Sequence, residues 1–153
     1  MQVDCDADYA NDLVTCKSIT GVCVQVYGNL VEWISVKQEK VAKSTCEAEL
    51  RALDHGADSL VYIRELLAEL IDVSKMAFRV YCDNESALQT LRKGGNDMNV
   101  KRYRVLISHA KDVYDEDWCE INHKPSEDME ADFLTKSLTG DRLYKLLNLL
   151  NIF

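Results

Sequence analysis

Four acidic residues, Asp6, Glu49, Asp83 and Asp132, carry the clearest chemical signal in this chain of 153 residues. They lie far apart in sequence, each near the end of a predicted strand or the start of a predicted helix. One compact α/β sheet could bring such positions to a common point. Two like charges about 4 Å apart, at an effective dielectric of about 20, repel by roughly 4 kcal/mol. A protein that gathers four carboxylates must therefore supply countercharge, and bound divalent cations do so most directly. An oxygen-only ligand set suits Mg²⁺ or Mn²⁺. The chemistry expected is metal-dependent and directed at phosphates.

Each acid also has an ordinary structural role to be weighed against that one. Asp83 could cap a helix, but the adjacent Asn84 can do the same and would leave Asp83 free. Asp132 falls in a predicted helix, Met129 to Lys136, where a first-turn acid complements the dipole. Glu49 could be a solvated helix residue. Its neighbour Glu47 completes a capping box, Ser44-Thr45-Cys46-Glu47. Glu47 thus has a sufficient structural job, and Glu49 does not. Asp6 has two rivals, Asp4 and Asp8, because alternate residues of one strand share a face. Residue chemistry alone does not choose among these three.

The elements that must position these acids read as follows. Val3 to Tyr9 is a strand. Gly21 to Tyr27 alternates Val22, Val24 and Val26, Gly28-Asn29 forms a two-residue turn, and Leu30 to Val36 returns as the second arm of a hairpin. The capping box opens a helix reaching about Leu70, with Leu50, Leu53, Ala57, Leu60, Val61 and Leu67 on its apolar stripe. Phe78 to Cys82 is a short apolar strand that ends at Asp83. Glu85 to Arg92 is a helix stopped by Gly94-Gly95. Val100 to Asp115 has helical periodicity, with Lys101, Arg104 and Lys111 opposite its apolar face. Trp118 to Asn122 is a strand, and Asp141 to Asn151 a leucine-rich helix. This order, βββ-α-β-α-α-β-α-α, implies one mixed sheet flanked by helices.

Composition narrows the function classes. The length suits one domain with a real core. A single proline and six glycines leave little room for a long linker. No stretch approaches the length of a membrane span. The first ten residues are acidic and lack the apolar run of a signal peptide. Met1 opens almost directly onto a strand, which suggests a domain cut from a longer polypeptide, with a natural start as the alternative. The six cysteines are scattered without a C-x-x-C pair, as expected of reduced thiols in a cytosolic compartment. Cys23 and Cys82 read as core residues, and the three histidines show no zinc spacing. A net charge of −8 argues against a free-standing, sequence-blind nucleic-acid binder. Basic residues concentrate between Arg92 and Lys111, where Asp97 is the lone acid.

Several local motifs share one source of similarity. They are Asp6-Ala7-Asp8-Tyr9-Ala10, Lys17-Ser18-Ile19-Thr20-Gly21 and Trp33-Ile34-Ser35-Val36-Lys37-Gln38. Ser44-Thr45-Cys46-Glu47-Ala48-Glu49-Leu50 and Asp83-Asn84-Glu85-Ser86-Ala87 follow. The last is Ala131-Asp132-Phe133-Leu134-Thr135-Lys136-Ser137-Leu138. In this order and spacing the chain resembles the ribonuclease H domain at the end of Ty1/copia-type LTR retrotransposon polyproteins. Any one motif is weak, but six in series are specific.

The resemblance implies a ribonuclease H-like α/β fold over residues 1–153, with a mixed five-stranded sheet flanked by helices. It implies that Asp6, Glu49, Asp83 and Asp132 are catalytic and hold two Mg²⁺ ions, with Mn²⁺ able to substitute. By analogy Asp6 bridges both ions, Glu49 and Asp83 hold one, and Asp132 holds the other. The implied reaction is endonucleolytic hydrolysis of the RNA strand of an RNA–DNA hybrid by two-metal catalysis. The implied partners are the hybrid and a reverse transcriptase domain in the parent polyprotein. The implied location is a cytoplasmic retrotransposon particle, with the nucleus as the alternative. Asn84, Ser86, Lys101, Arg104 and Lys111 are candidate contacts to the hybrid. His123 stands where some cellular relatives place a histidine that helps product release.

Two stretches depart from the copia-type pattern. Asn99-Val100-Lys101-Arg102-Tyr103-Arg104 replaces a histidine- and lysine-rich segment, and Asn11 replaces a frequent glycine. Neither touches the four acids. The rival expectation is a catalytically silent module of the same fold that binds nucleic acid or a partner protein, since fold alone does not fix activity. A resolvase or integrase on this fold is a third option, against which the run of motifs argues.

Overall fold

Strand β1 (Gln2–Asp8) shows how the sheet positions its chemistry. Val3, Cys5 and Ala7 are buried in the larger core, while Asp4 and Asp6, the alternate residues, are buried on the opposite face. The computed structural model describes residues 1–94 and 104–152. Among these, the remaining strands are β2 (Ile19–Val26), β3 (Asn29–Lys37), β4 (Phe78–Cys82) and β5 (Cys119–His123). The helices are α1 (Thr45–Ala68), α2 (Glu85–Lys93), α3 (Arg104–Tyr114), α4 (Asp132–Thr135) and α5 (Gly140–Leu149). The sheet order is β3-β2-β1-β4-β5. The pairs β1/β2 and β2/β3 are antiparallel, and β1/β4 and β4/β5 are parallel. The expected mixed five-stranded sheet with flanking helices is therefore the observed one.

Two cores lie on the two faces. The larger joins Val22, Val24, Phe78 and Val80 of the sheet to Leu50, Leu53 and Leu60 of α1 and to Leu88 and Ile107 of α2 and α3. The smaller joins Cys23 to Met129, Ala131 and Leu150 from the C-terminal part of the chain. The expected core positions of Cys23 and Cys82 hold, and all six cysteines are free.

The main corrections concern turns and helix ends. The hairpin turn is Tyr27-Gly28, not Gly28-Asn29, because Val26 pairs with Asn29. Both turn residues have positive φ, 51° and 78°, the backbone that a tight two-residue hairpin turn requires. The predicted helix from Met129 to Lys136 shrinks to α4, a single turn. Its expected first residues are diverted, since Met129 enters the smaller core and Glu130 joins a buried ion cluster. Gly94 ends α2 with φ 67°, as a helix-terminating glycine does. The expected start of α3 at Val100, and with it Lys101, lies outside the described residues.

One glycine brings the C-terminal part onto the sheet. Gly21 pairs with Asp6 across the β1/β2 ladder. A Cβ there would lie 2.6 Å from Thr135 Cγ2 and 2.9 Å from the carbonyl of Ala131. Its missing side chain lets α4 sit directly beside Asp6.

Candidate active site

Four elements end at one place. Asp6 comes from β1, Glu49 from the first turns of α1, Asp83 from the residue after β4, and Asp132 from the first residue of α4. The parallel pairing of β4 with β1 sets Cys82 opposite Cys5, so Asp83 emerges beside Asp6. One carboxylate oxygen from each of Asp6, Asp83 and Asp132 lies within 4.8 Å of the other two. Asp83 also belongs to a second group, with Glu49 and Cys82, at the same spacing. The structure thus brings all four acids into one continuous cluster linked through Asp83.

Local caps explain why these side chains are free to meet. Ser44 accepts the Glu47 N–H at the start of α1, and Glu47 in turn accepts from the Lys43 N–H at 2.9 Å and from Arg51 at 2.9 Å. Glu49 is left to point at the strand ends. Asn84 Oδ1 caps α2 through the Ala87 N–H at 3.0 Å, which releases Asp83 from that duty.

The chain supplies part of the countercharge itself. Lys136 Nζ bridges Asp132 at 2.7 Å and Asp6 at 3.1 Å. Arg142 Nη2 donates to Asp132 and to the Ser126 carbonyl, the latter at 2.8 Å. Ser126 Oγ donates to Asp83 at 2.6 Å, and Thr135 Oγ1 donates to Asp6. Burial holds Asp6 above the usual carboxylate range. Lys136 and Thr135 oppose that rise, and Asp132 and Asp83 add to it. Burial, followed by Asp6 and Asp83, pushes Glu49 up to about 9. The Cys82 thiol is held well above its usual value by burial and by Glu49.

Three close carboxylates, with a lysine and an arginine of the chain set against them, form an oxygen-donor cluster that attracts positive charge. That is the donor chemistry Mg²⁺ or Mn²⁺ takes, so the residues present fit such ions.

The other predicted residues are placed as follows. Asn84 is occupied as a cap, and Ser86 is exposed on α2. Arg104 is exposed at the start of α3, and Lys111 pairs with Asp115 at 2.6 Å. His123 is exposed at the end of β5, and its Nε2 donates to the Asp83 carbonyl at 3.0 Å. Sequence reasoning read Cys82 only as a core residue and passed over Ser126 and Arg142, and it gave Thr135 and Lys136 no role beyond their motif. The motif was a usable signal for Thr135 and Lys136, and β4 ending at Asp83 was one for Cys82. Ser126 and Arg142 had none.

The sheet order, with the acids gathered where its central strands β1 and β4 end, is that of a ribonuclease H-like fold. LC11-RNase H1, solved in complex with an RNA/DNA hybrid, superposes with a TM-score of 0.63 at 18% identity, over 88% of this chain and 92% of that one. No family model matches the chain. Among curated proteins, the retrovirus-related Pol polyprotein from transposon TNT 1-94 of Nicotiana tabacum is 29% identical over 131 residues. That match takes in 86% of this chain and 10% of the polyprotein. The corresponding polyprotein from transposon RE2 of Arabidopsis thaliana is 30% identical over 135 residues, 88% of this chain and 9% of the polyprotein. The chain therefore spans about a tenth of the length of these relatives. The fold is thus that of ribonucleases H, and the sequence is similar to a segment of retrotransposon Pol polyproteins.

Proposed function

We propose that this chain is a metal-dependent ribonuclease H of the Ty1/copia type that cleaves the RNA strand of RNA–DNA hybrids endonucleolytically, leaving 3′-hydroxyl and 5′-phosphate ends. The observation that carries the reading is the approach of Asp6, Asp83 and Asp132 to within 4.8 Å, with Asp83 shared toward Glu49. Asp6, Glu49, Asp83 and Asp132 would hold two Mg²⁺ ions, or Mn²⁺ in their place. When bound, such ions activate the attacking water and neutralise charge on the leaving 3′-oxygen. With ions bound, Asp6, Glu49, Asp83 and Asp132 would be held ionised and fixed. Thr135 and Lys136 orient Asp6, Arg142 orients Asp132, and Ser126 orients Asp83. The solved hybrid complex of a protein with this fold supports the same substrate here. Arg104 and Lys111, with Lys101, would contact phosphates, and Ser86 and Asn84 stand beside Asp83 at the start of α2. His123 would help product leave.

In its natural setting the domain would be a segment of a longer polyprotein, joined to a reverse transcriptase and removing template RNA inside a cytoplasmic particle. One observation favours the silent alternative. Lys136 and Arg142 already pair with Asp132, so the cluster has some countercharge without an ion. A labelled hybrid separates the two readings. Wild type is expected to cut the RNA strand with Mg²⁺ and with Mn²⁺ but not in EDTA, and Asp83→Asn is expected to cut under none of these. Intact RNA with wild type under both metals would refute the enzyme reading.

A further inference from the structure

The acidic cluster has a second pole, and it contains sulfur. Cys82 closes β4 one residue before Asp83, and its Sγ lies 3.7 Å from Glu49 Oε2. One ligand atom from each of Glu49, Cys82 and Asp83 lies within 4.8 Å of the other two. We propose that these three side chains form a binding site for a thiophilic divalent cation of the Zn²⁺ or Cd²⁺ kind, overlapping the Asp6–Asp83–Asp132 cluster through Asp83.

Geometry supports the assignment. Zinc–sulfur and zinc–oxygen bonds of about 2.3 and 2.0 Å, at a tetrahedral angle, put the two ligand atoms about 3.5 Å apart. The observed 3.7 Å is close to that edge. The backbone N–H of Asn84 donates to the same sulfur at 3.4 Å. A donor aimed at sulfur stabilises the negative charge that a coordinated thiolate keeps. Asp83 is the half-buried member of the three, while Glu49 and Cys82 are buried.

Ligand chemistry separates the two poles. Asp6, Asp83 and Asp132 offer oxygen alone, which suits hard ions. The Glu49–Cys82–Asp83 pole adds a soft donor, which Zn²⁺ and Cd²⁺ take and Mg²⁺ does not. As the sulfur–metal bond forms, the thiol proton passes to solvent. An ion held there takes Glu49 and Asp83 away from the hard-ion site. Binding stands on this geometry, whereas inhibition of hybrid cleavage rests also on the proposed nuclease function.

The exposed and half-buried thiols Cys16, Cys46 and Cys119 are first replaced by serine, leaving the buried ones. This protein is titrated with Cd²⁺ while the thiolate-to-cadmium charge-transfer absorption is followed. The expected result is one saturating equivalent, lost in Cys82→Ala. Glu49→Gln and Asp83→Asn should weaken it by about tenfold or more, since even outer partners of a metal ligand cost that much. Unchanged titration in Cys82→Ala overturns the site, and so does full affinity in both carboxylate variants. If circular dichroism shows Cys82→Ala unfolded, the carboxylate variants decide. In a second arm, Zn²⁺ is added to Mg²⁺-supported hybrid cleavage. Inhibition is expected in the serine background and not in Cys82→Ala, each measured against its own zinc-free rate. Equal inhibition of both overturns the inhibitory role. Absence of any hybrid cleavage defeats the nuclease reading, while the absorption arm still decides the site.

Discussion

Asp4 and Asp6 stand two residues apart on one face of β1, and both are completely buried. Their surroundings differ in kind. Asp4 meets Lys124 Nζ at 2.6 Å, and the same ammonium pairs with Glu130 and lies 5.0 Å from the centre of the Tyr81 ring. Gln2 Nε2 donates to Asp4 at 2.7 Å. That cluster is largely closed: a cation and two carboxylates, with an amide and an aromatic ring beside them. Asp6 faces Asp83 and Asp132 instead, at an edge where Asp83 is only half-buried and Lys136 is a third exposed. One carboxylate is closed into the fold and the other is left facing a site. Asp8, the third acid of the strand face, accepts from the Asn11 side chain and joins neither cluster. This contrast separates three aspartates whose sequence surroundings look alike.

Removing the cation from the Asp4 cluster should have the largest effect on stability. Lys124→Met leaves Asp4 and Glu130 buried with the Gln2 amide but without their cation, which is expected to cost about 3–5 kcal/mol. Replacing all three, as Asp4→Leu, Lys124→Met and Glu130→Leu together, should recover most of that loss, because a buried ion cluster often contributes little net stability. Denaturant titration reads both. A triple variant no more stable than Lys124→Met would mean that the cluster does more than neutralise itself.

Next in size is the contact that seats α4 beside Asp6. Gly21→Ala places a methyl group 2.6 Å from Thr135 Cγ2 and 2.9 Å from the Ala131 carbonyl. Overpacking of this kind costs about 1–3 kcal/mol. Because α4 carries Asp132, binding of Mn²⁺, measured by calorimetry, should weaken along with stability. Full ion affinity in a destabilised Gly21→Ala would show that the position of α4 does not matter to the site.

The open cluster should also give the metal-free protein a distinctive pH response. Glu49 is pushed up to about 9 in the fold from an ordinary value of 4.5. A raised carboxyl favours the folded state below its unfolded value and loses that contribution as pH rises toward the folded value. In EDTA, melting temperature should therefore fall as pH rises from about 4.5 to about 9. Glu49→Gln should flatten the slope, and saturating Mg²⁺ should reverse it. A flat profile for wild type in EDTA would contradict the account of Glu49.

The smallest effect belongs to Ser126→Ala, which removes the hydroxyl that donates to Asp83 at 2.6 Å. A single hydrogen bond at an exposed position contributes about 0.5–1.5 kcal/mol. The expected readout is a few-fold loss of Mn²⁺ affinity with at most a small fall in melting temperature.

Most of the fold was legible because its signals are local. Alternation marked β2, the hairpin turn brought back β3, the capping box marked the start of α1, and the apolar run Phe78–Cys82 coincides with β4. Where long-range contacts decide, local reading failed. The helix expected from Met129 to Lys136 was shortened because Glu130 is drawn to Lys124 and Met129 to the smaller core. Lys124 and Asp4 are 120 residues apart, and no periodicity reports such a pair. The hairpin turn was misplaced by one residue because Tyr27, a bulky residue at positive φ, carries no turn signature. In the site, the four acids stood out by motif, and capping separated Glu49 from Glu47. The choice of Asp6 over Asp4 rested on resemblance alone, since the sequence does not reveal which aspartate Lys124 reaches.

The most direct test compares Asp6→Asn with Asp4→Asn on a labelled RNA–DNA hybrid in Mg²⁺, with circular dichroism to confirm the fold of each. Asp6→Asn should lose cleavage by on the order of 10²–10³-fold or more, the usual scale for removing a group that stabilises charge in the transition state. Asp4→Asn should keep cutting and change its melting temperature instead. Cleavage at the wild-type rate by a folded Asp6→Asn would contradict the account.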